Sequence, residues 1–182
     1  MGVGRHASVA YLINFGLSKE FRDPNTHQHI PFSDHLGFIR TAAFASINSH
    51  LGLELGRRDD LESLAYVLFY FLWGFLPWQG LKLKGQGILK SKREITTHAL
   101  FHGLPPELRA FFEHCRSLSF EGKPNYDQFF RLFDDLLAKE GPRSDAGFDW
   151  VVAGAKIPGR DLKIPHDVSP QECSPSPKRR TG

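Results

Sequence analysis

Two cysteines are all the thiols this chain has: Cys115, on the apolar side of an expected helix, and Cys173, in a stretch rich in Pro and Ser. So few exclude a disulfide-stapled scaffold and point to a reducing compartment, cytoplasmic or nuclear. Charge of one sign is scarce as well. The formal net charge is +3, and Lys178-Arg179-Arg180 is the one basic cluster in an otherwise scattered set. That pattern describes a solvated surface and predicts no nucleic-acid partner. Long hydrophobic runs are missing too. The best, Leu64 to Leu76, is interrupted by Gly74 and closed by Pro77, which suits a core helix and predicts no membrane span. Met1 to Ser8 is polar and Gly-rich, without the apolar centre of a secretion signal. A phosphate-cradling G-x-G-x-x-G is absent, since Gly85-x-Gly87 has neither a third glycine nor a preceding strand. Ser18, Ser46 and Ser63 lack a Gly-x-Ser-x-Gly setting, so a hydrolase is unsupported.

Aromatic residues are plentiful, with 16 Phe in 182 residues, enough apolar content to close the core of one domain. Tyr11 to Phe15 reads as a short strand. Gly16 to Asn48 is a long irregular segment, and such a loop within a compact domain is usually functional. Asp59-x-x-Glu62 has the pattern of a capping box and predicts a helix from Asp59 to Gly74. Leu61, Leu64, Ala65, Leu68 and Leu72 form its stripe, and Val67, Phe69, Tyr70, Phe71 and Trp73 fill the other faces, so burial on all sides is expected. The Lys-rich stretch Leu81 to Thr97 gives a weaker helical signal. Pro105-Pro106-Glu107 opens a helix with Leu108, Phe111, Phe112, Cys115 and Leu118 on one face. Tyr126 to Glu140 gives another, with Phe129, Phe130, Leu132, Phe133, Leu136 and Leu137 inward, stopped by Gly141-Pro142. From Val151 onward the apolar period fades into a Pro/Ser/basic tail. The expected organisation is a mainly α domain over residues 1–150, with about four helices after one strand or hairpin, then a tail over 151–182. His27-x-His29 and His98-x-x-x-His102 have metal-like spacing, but no Cys or carboxylate stands at matching distance, and no metal site is expected from them.

Several motifs occur in one order: Asn14-Phe15-Gly16, then Phe21-Arg22-Asp23-Pro24 with His29-Ile30-Pro31-Phe32, then Ala45-Ser46-Ile47-Asn48, Arg57-Arg58-Asp59-Asp60-Leu61-Glu62-Ser63-Leu64 and Leu76-Pro77-Trp78-Gln79-Gly80. In order and spacing they resemble the C-terminal lobe of the casein kinase I family of Ser/Thr protein kinases, over roughly Met1 to Trp150. The resemblance implies ATP and Mg2+ as cofactors, a protein as substrate or partner, and Gly16 to Asn48 as the activation segment. It makes Asn14 the metal position of an Asp-Phe-Gly motif. An Asn oxygen can ligate a hard cation but brings no charge, and the reading preferred for Asn14 in this chain is a turn residue.

Arg40-Thr41-Ala42-Ala43-Phe44-Ala45-Ser46-Ile47-Asn48 matches the family's substrate-facing loop. The family's phosphate-binding arginine is replaced there by Ala43. Arg40, in place of a glycine, either compensates in part or is a surface arginine. Thr41 matches a threonine that approaches the catalytic Asp in the family. Asp60 matches the central-helix acid that holds the catalytic loop, and in this chain it is expected to help cap its own helix. Arg116 matches an arginine that ties its corner to the Asn48 region. Neither a Val-Ala-Ile-Lys strand nor a His-Arg-Asp loop occurs, so no catalytic residue is assigned. Met1-Gly2 matches a Met-Gly that follows the catalytic loop, and the N-terminal lobe is expected to be missing. The expectation is thus a kinase-family lobe, inactive by itself. The alternatives are a non-catalytic pseudokinase module that meets partners, or a truncated form of a longer active kinase. Without a second lobe the surface around Tyr11, Ile13 and Phe15 is expected to be uncovered and to favour self-association.

Overall fold

The computed structural model describes residues 9–13, 15–34, 42–79 and 85–141. These residues are mainly helical. A 3-10 turn, Phe15–Leu17, is followed by α1 (Ile47–His50), α2 (Arg57–Trp73), α3 (Gly85–Glu94), α4 (Thr97–Leu100), α5 (Pro106–Ser117) and α6 (Tyr126–Glu140). Among the described residues no helix is long and apolar enough to cross a membrane. Of the expected strand at Tyr11 to Phe15, the described residues Tyr11 to Ile13 form none and Phe15 opens the 3-10 turn. Among the described residues, 9–13 have no strand pairing, and the pairing before α1 is a single antiparallel bridge between Arg22 and His29. A strand is stable only when it is paired and covered on one face, and Tyr11, Leu12 and Ile13 are exposed. Tyr11, Ile13 and Phe15 are exposed, as expected.

Helix α2 starts earlier than the sequence suggested. Gly56, in an extended conformation, is the N-cap, and its N–H donates to Asp59 Oδ2 at 2.9 Å. Asp59 is therefore the third helical residue, not the first, and it supplies half of a capping box; glycine has no side chain to return the bond. Gly56 also lies against the Phe120 backbone, because a Cβ there would stand 2.8 Å from the Phe120 carbonyl oxygen. The helix ends at Gly74, whose φ of 79° is left-handed and whose N–H donates to Tyr70 O. Prolines set the start of α5. The Asn125 side chain accepts from Gln128 N at the start of α6, and Gly141 stops that helix as expected.

The core lies between α2 and α5. Asp59, Glu62, Tyr66 and Phe69 fall at helical spacing on one face of α2 and are buried, as are Leu108, Phe111, Phe112 and Cys115 of α5. Aromatic rings fill the space in edge-on or tilted pairs: Tyr66–Phe112 at 5.5 Å, Phe101–Phe112 at 5.1 Å and Phe111–Phe129 at 4.8 Å. Two expectations of burial fail. Helix α2 is buried on one side only, and Leu64, Phe71 and Leu72 are 45%, 74% and 46% exposed. On α6, Phe130 and Leu137 are exposed while Phe129 is buried. Neighbours on a helix point about 100° apart, so Phe129 and Phe130 are both covered only if the helix is packed on two sides.

Phe112→Ala should therefore cost about 3–5 kcal/mol of unfolding free energy. Leu64→Ala, on the exposed face of α2, should cost under about 1 kcal/mol. Urea denaturation of the two variants checks this, and equal losses would contradict the one-sided core.

Candidate functional site

The segment Ala42–Asn48 is held from two directions. On one side stands Lys92, which is buried. Its ammonium nitrogen donates to Ala42 O at 3.1 Å and to Ala45 O, and lies 3.4 Å from His50 Nε2. It sits over the Tyr66 ring at 4.6 Å and the Trp78 ring at 4.9 Å, an arrangement that favours a cation. Trp78 Nε1 donates to Ala43 O at 2.7 Å. Burial nonetheless pushes Lys92 down to about 7, with Glu62 opposing the shift.

On the other side, Asn48 Nδ2 donates to Asp59 Oδ1 at 2.9 Å. Ile47 N donates to Glu62 Oε1 at 3.3 Å, and the Tyr66 hydroxyl donates to the same oxygen at 2.7 Å. Burial raises the Glu62 carboxyl above its ordinary range, while Tyr66 and the charge of Arg116 pull it back. The Tyr66 hydroxyl is pushed up by burial and by Glu62, so it stays protonated as a donor. A cleft of about 160 Å³ opens beside these groups, lined by Ile47, Asn48, Arg58, Glu62, Cys115 and Arg116. Arg58 is fixed at its edge, donating to Leu118 O at 2.9 Å with Nε 3.6 Å from Asp59 Oδ2. Burial lifts the Cys115 thiol to about 12, which removes it as a nucleophile.

Of the residues singled out in the sequence, Asn14, Arg40 and Thr41 lie outside the described residues. Asn48 and Arg116 line the same cleft. Arg116 is exposed and rests over the Phe112 ring at 5.4 Å. Asp60, expected to help cap the helix, stands beside the residue that makes the N-cap bond. It is exposed, and its neighbour Asp59, 1% exposed, both caps α2 and binds Asn48. The reason is the earlier helix start, which puts Asp59 at the third helical position. His29 packs against Phe120 at 4.6 Å and Phe21 at 5.9 Å. Among the described residues no three His, Cys, Asp or Glu gather as metal ligands.

Lys92 is the residue that motif reading missed. A signal was available: Ile88, Lys92 and Ile95 fall at i, i+4 and i+7, and both isoleucines pack against the core, so the lysine stands in an apolar register.

Asp59→Ala should leave the Gly56 N–H and the Asn48 amide without their acceptor and cost about 2–3 kcal/mol. Asp60→Ala, which removes an exposed carboxylate outside that N-cap bond, should cost less than Asp59→Ala. Chemical denaturation of the pair checks the assignment, and the reverse order would restore Asp60 as the structural acid. No protein-family model matches the chain.

Proposed function

We propose that this chain is a casein-kinase-I-like C-terminal lobe, a Ser/Thr protein kinase by ancestry, whose 182 residues position a substrate-facing loop but do not by themselves transfer phosphate. One observation carries the reading: Ala42–Asn48, the segment that matches the family's substrate-facing loop, is fixed by Lys92 and Trp78 on one side and by Asp59 and Glu62 on the other. The meeting of Asn48 and Arg116 at one cleft supports it further.

Phosphoryl transfer depends on positioning and on neutralising charge at the phosphates. Magnesium beside phosphates is normally held through carboxylates. At the motif position this chain offers Asn14, a neutral donor, and the sequence has no G-x-G-x-x-G and no His-Arg-Asp. The residues present do not fit Mg2+ with ATP, and no step is derived through the nucleotide. The purified chain, given Mg-ATP with casein or acidic peptides, should incorporate no labelled phosphate above a mock purification. Asn14→Asp should not change that, because one restored carboxylate leaves the phosphates otherwise ungripped. Incorporation above mock that Asn14→Ala abolishes would overturn the reading.

A second reading, a non-catalytic module that associates with another copy of itself, is favoured by the exposed apolar stripe of Leu64, Phe71, Leu72 and Phe75. Sedimentation velocity should show a concentration-dependent shift to dimer, reduced in Phe71→Ser. A monomer at every concentration removes this reading.

A further inference from the structure

Two guanidinium groups, Arg58 and Arg116, frame the cleft beside Asn48, which the nearly buried Glu62 and Cys115 also line. We propose that this cleft is a binding site for a small free oxyanion, a phosphate or a carboxylate, gripped by Arg116 and Arg58.

Unspent donors are the first ground. Among the described residues the Arg116 guanidinium has no hydrogen-bond acceptor and no ion-pair partner. It is exposed and rests over the Phe112 ring at 5.4 Å. A ring beneath a guanidinium holds its plane and leaves the five N–H donors at the edge open to a second partner. Arg58 is only half spent. One of its terminal nitrogens, Nη1, donates to Leu118 O at 2.9 Å. Its Nε is buried without an acceptor, since Asp59 Oδ2, at 3.6 Å, is beyond hydrogen-bond range. Most buried donors in folded chains are satisfied, so an orphan on the wall of a cleft asks for an acceptor from outside.

Charge and size select the class of ligand. The lining residues carry two positive groups against one carboxylate, and that carboxylate is already engaged. Glu62 Oε1 accepts from the Tyr66 hydroxyl and from Ile47 N. Asp59, behind Arg58, accepts from Gly56 N and Asn48 Nδ2. Lys92 acts on Glu62 through space and so adds positive charge, not negative. A recess with surplus positive charge draws an anion and repels a metal ion. A planar fork of donors suits an acceptor with several oxygens, which a phosphate or a carboxylate has and chloride lacks. The opening of about 160 Å³ is far above the roughly 10–15 Å³ that one water requires, so a polyatomic ion enters without displacing a side chain. The site asks nothing of Asn14, ATP or Mg2+, and stands or falls separately from the kinase-like reading.

The test is NMR on the full chain, with sodium phosphate or sodium acetate replacing sodium chloride at constant ionic strength. The Arg116 Nε–H resonance should move and saturate, with half-saturation at about 1–10 mM. The Arg58 Nε–H should move with it as its orphaned donor gains an acceptor. Saturation by phosphate, acetate or both supports the site, and comparison of the two titrations identifies the preferred ion. Arg116→Gln, an exposed change, should weaken binding about tenfold or more. Arg109→Gln, whose arginine faces Glu113 on the exposed side of α5, should leave it unaltered. Because losing Arg58 would free Leu118 O and can cost the fold, Arg58 is followed by its resonance alone. No movement when phosphate and acetate replace chloride, movement without saturation up to about 50 mM, or equal affinity in Arg116→Gln would each overturn the proposal. So would a loss in Arg109→Gln as large as that in Arg116→Gln.

Discussion

The burial of Tyr66 is the constraint on which the rest of the lobe depends. Its ring meets Trp78 edge-on at 5.1 Å and Phe112 at 5.5 Å, which joins α2 to α5 and to the turn after α2. Its hydroxyl cannot be buried without a partner, and Glu62, one turn earlier on the same helix, provides one at 2.7 Å. Glu62 is itself buried, and so needs more than one donor. The N–H of Ile47 is the second, which places the start of α1. The ring also lies under Lys92. A single side chain thus joins an aromatic core to the polar contacts that hold Ala42–Asn48, and the loop cannot shift far without disturbing the core.

This arrangement also explains why α2 has a dry side and a wet side. The helix spends one face on both apolar and polar partners, with Asp59 and Glu62 buried among Ala65, Tyr66 and Phe69. The buried carboxylates are tolerated because each accepts at least two hydrogen bonds. The opposite face carries Leu64, Phe71 and Leu72 without such cover. Hydrophobicity alone does not tell which face of an all-apolar helix is inside. The polar residues that must be satisfied do tell, and here they mark the packed side.

Much of this fold was legible in the sequence. Helices α5 and α6 followed from their apolar spacing, the Pro start of α5 and the Gly141 stop of α6, and Gly74 correctly ended α2. Local signals failed where tertiary partners decide. Tyr11 to Phe15 has strand composition but no pairing strand. Asp59 and Asp60 are the same residue type side by side, and only the cap at Gly56 tells which of them is buried. Phe130 and Leu137 fit an apolar pattern wider than the face that α6 presents. The candidate site was half legible. Asn48 and Arg116 were named and share a cleft, whereas Lys92 stood in a Lys-rich stretch and looked like surface.

The contacts that hold Ala42–Ala45 fall on backbone oxygens. Lys92 takes Ala42 O and Ala45 O, and Trp78 takes Ala43 O. A loop held by its carbonyls keeps its course whatever side chains it displays, provided they fit. Under the kinase-like reading this separates two properties that motif matching treats as one. Replacing an arginine by Ala43 removes a guanidinium that would grip a phosphate, yet it leaves the carbonyl that Trp78 binds untouched. Position is set from outside the loop, by α2, α3 and Trp78, while chemistry is set within it. Such a segment can lose its ligand contacts one side chain at a time without any penalty in folding. A lobe can therefore keep the shape and the structural residues of an enzyme family after its reactive residues have changed.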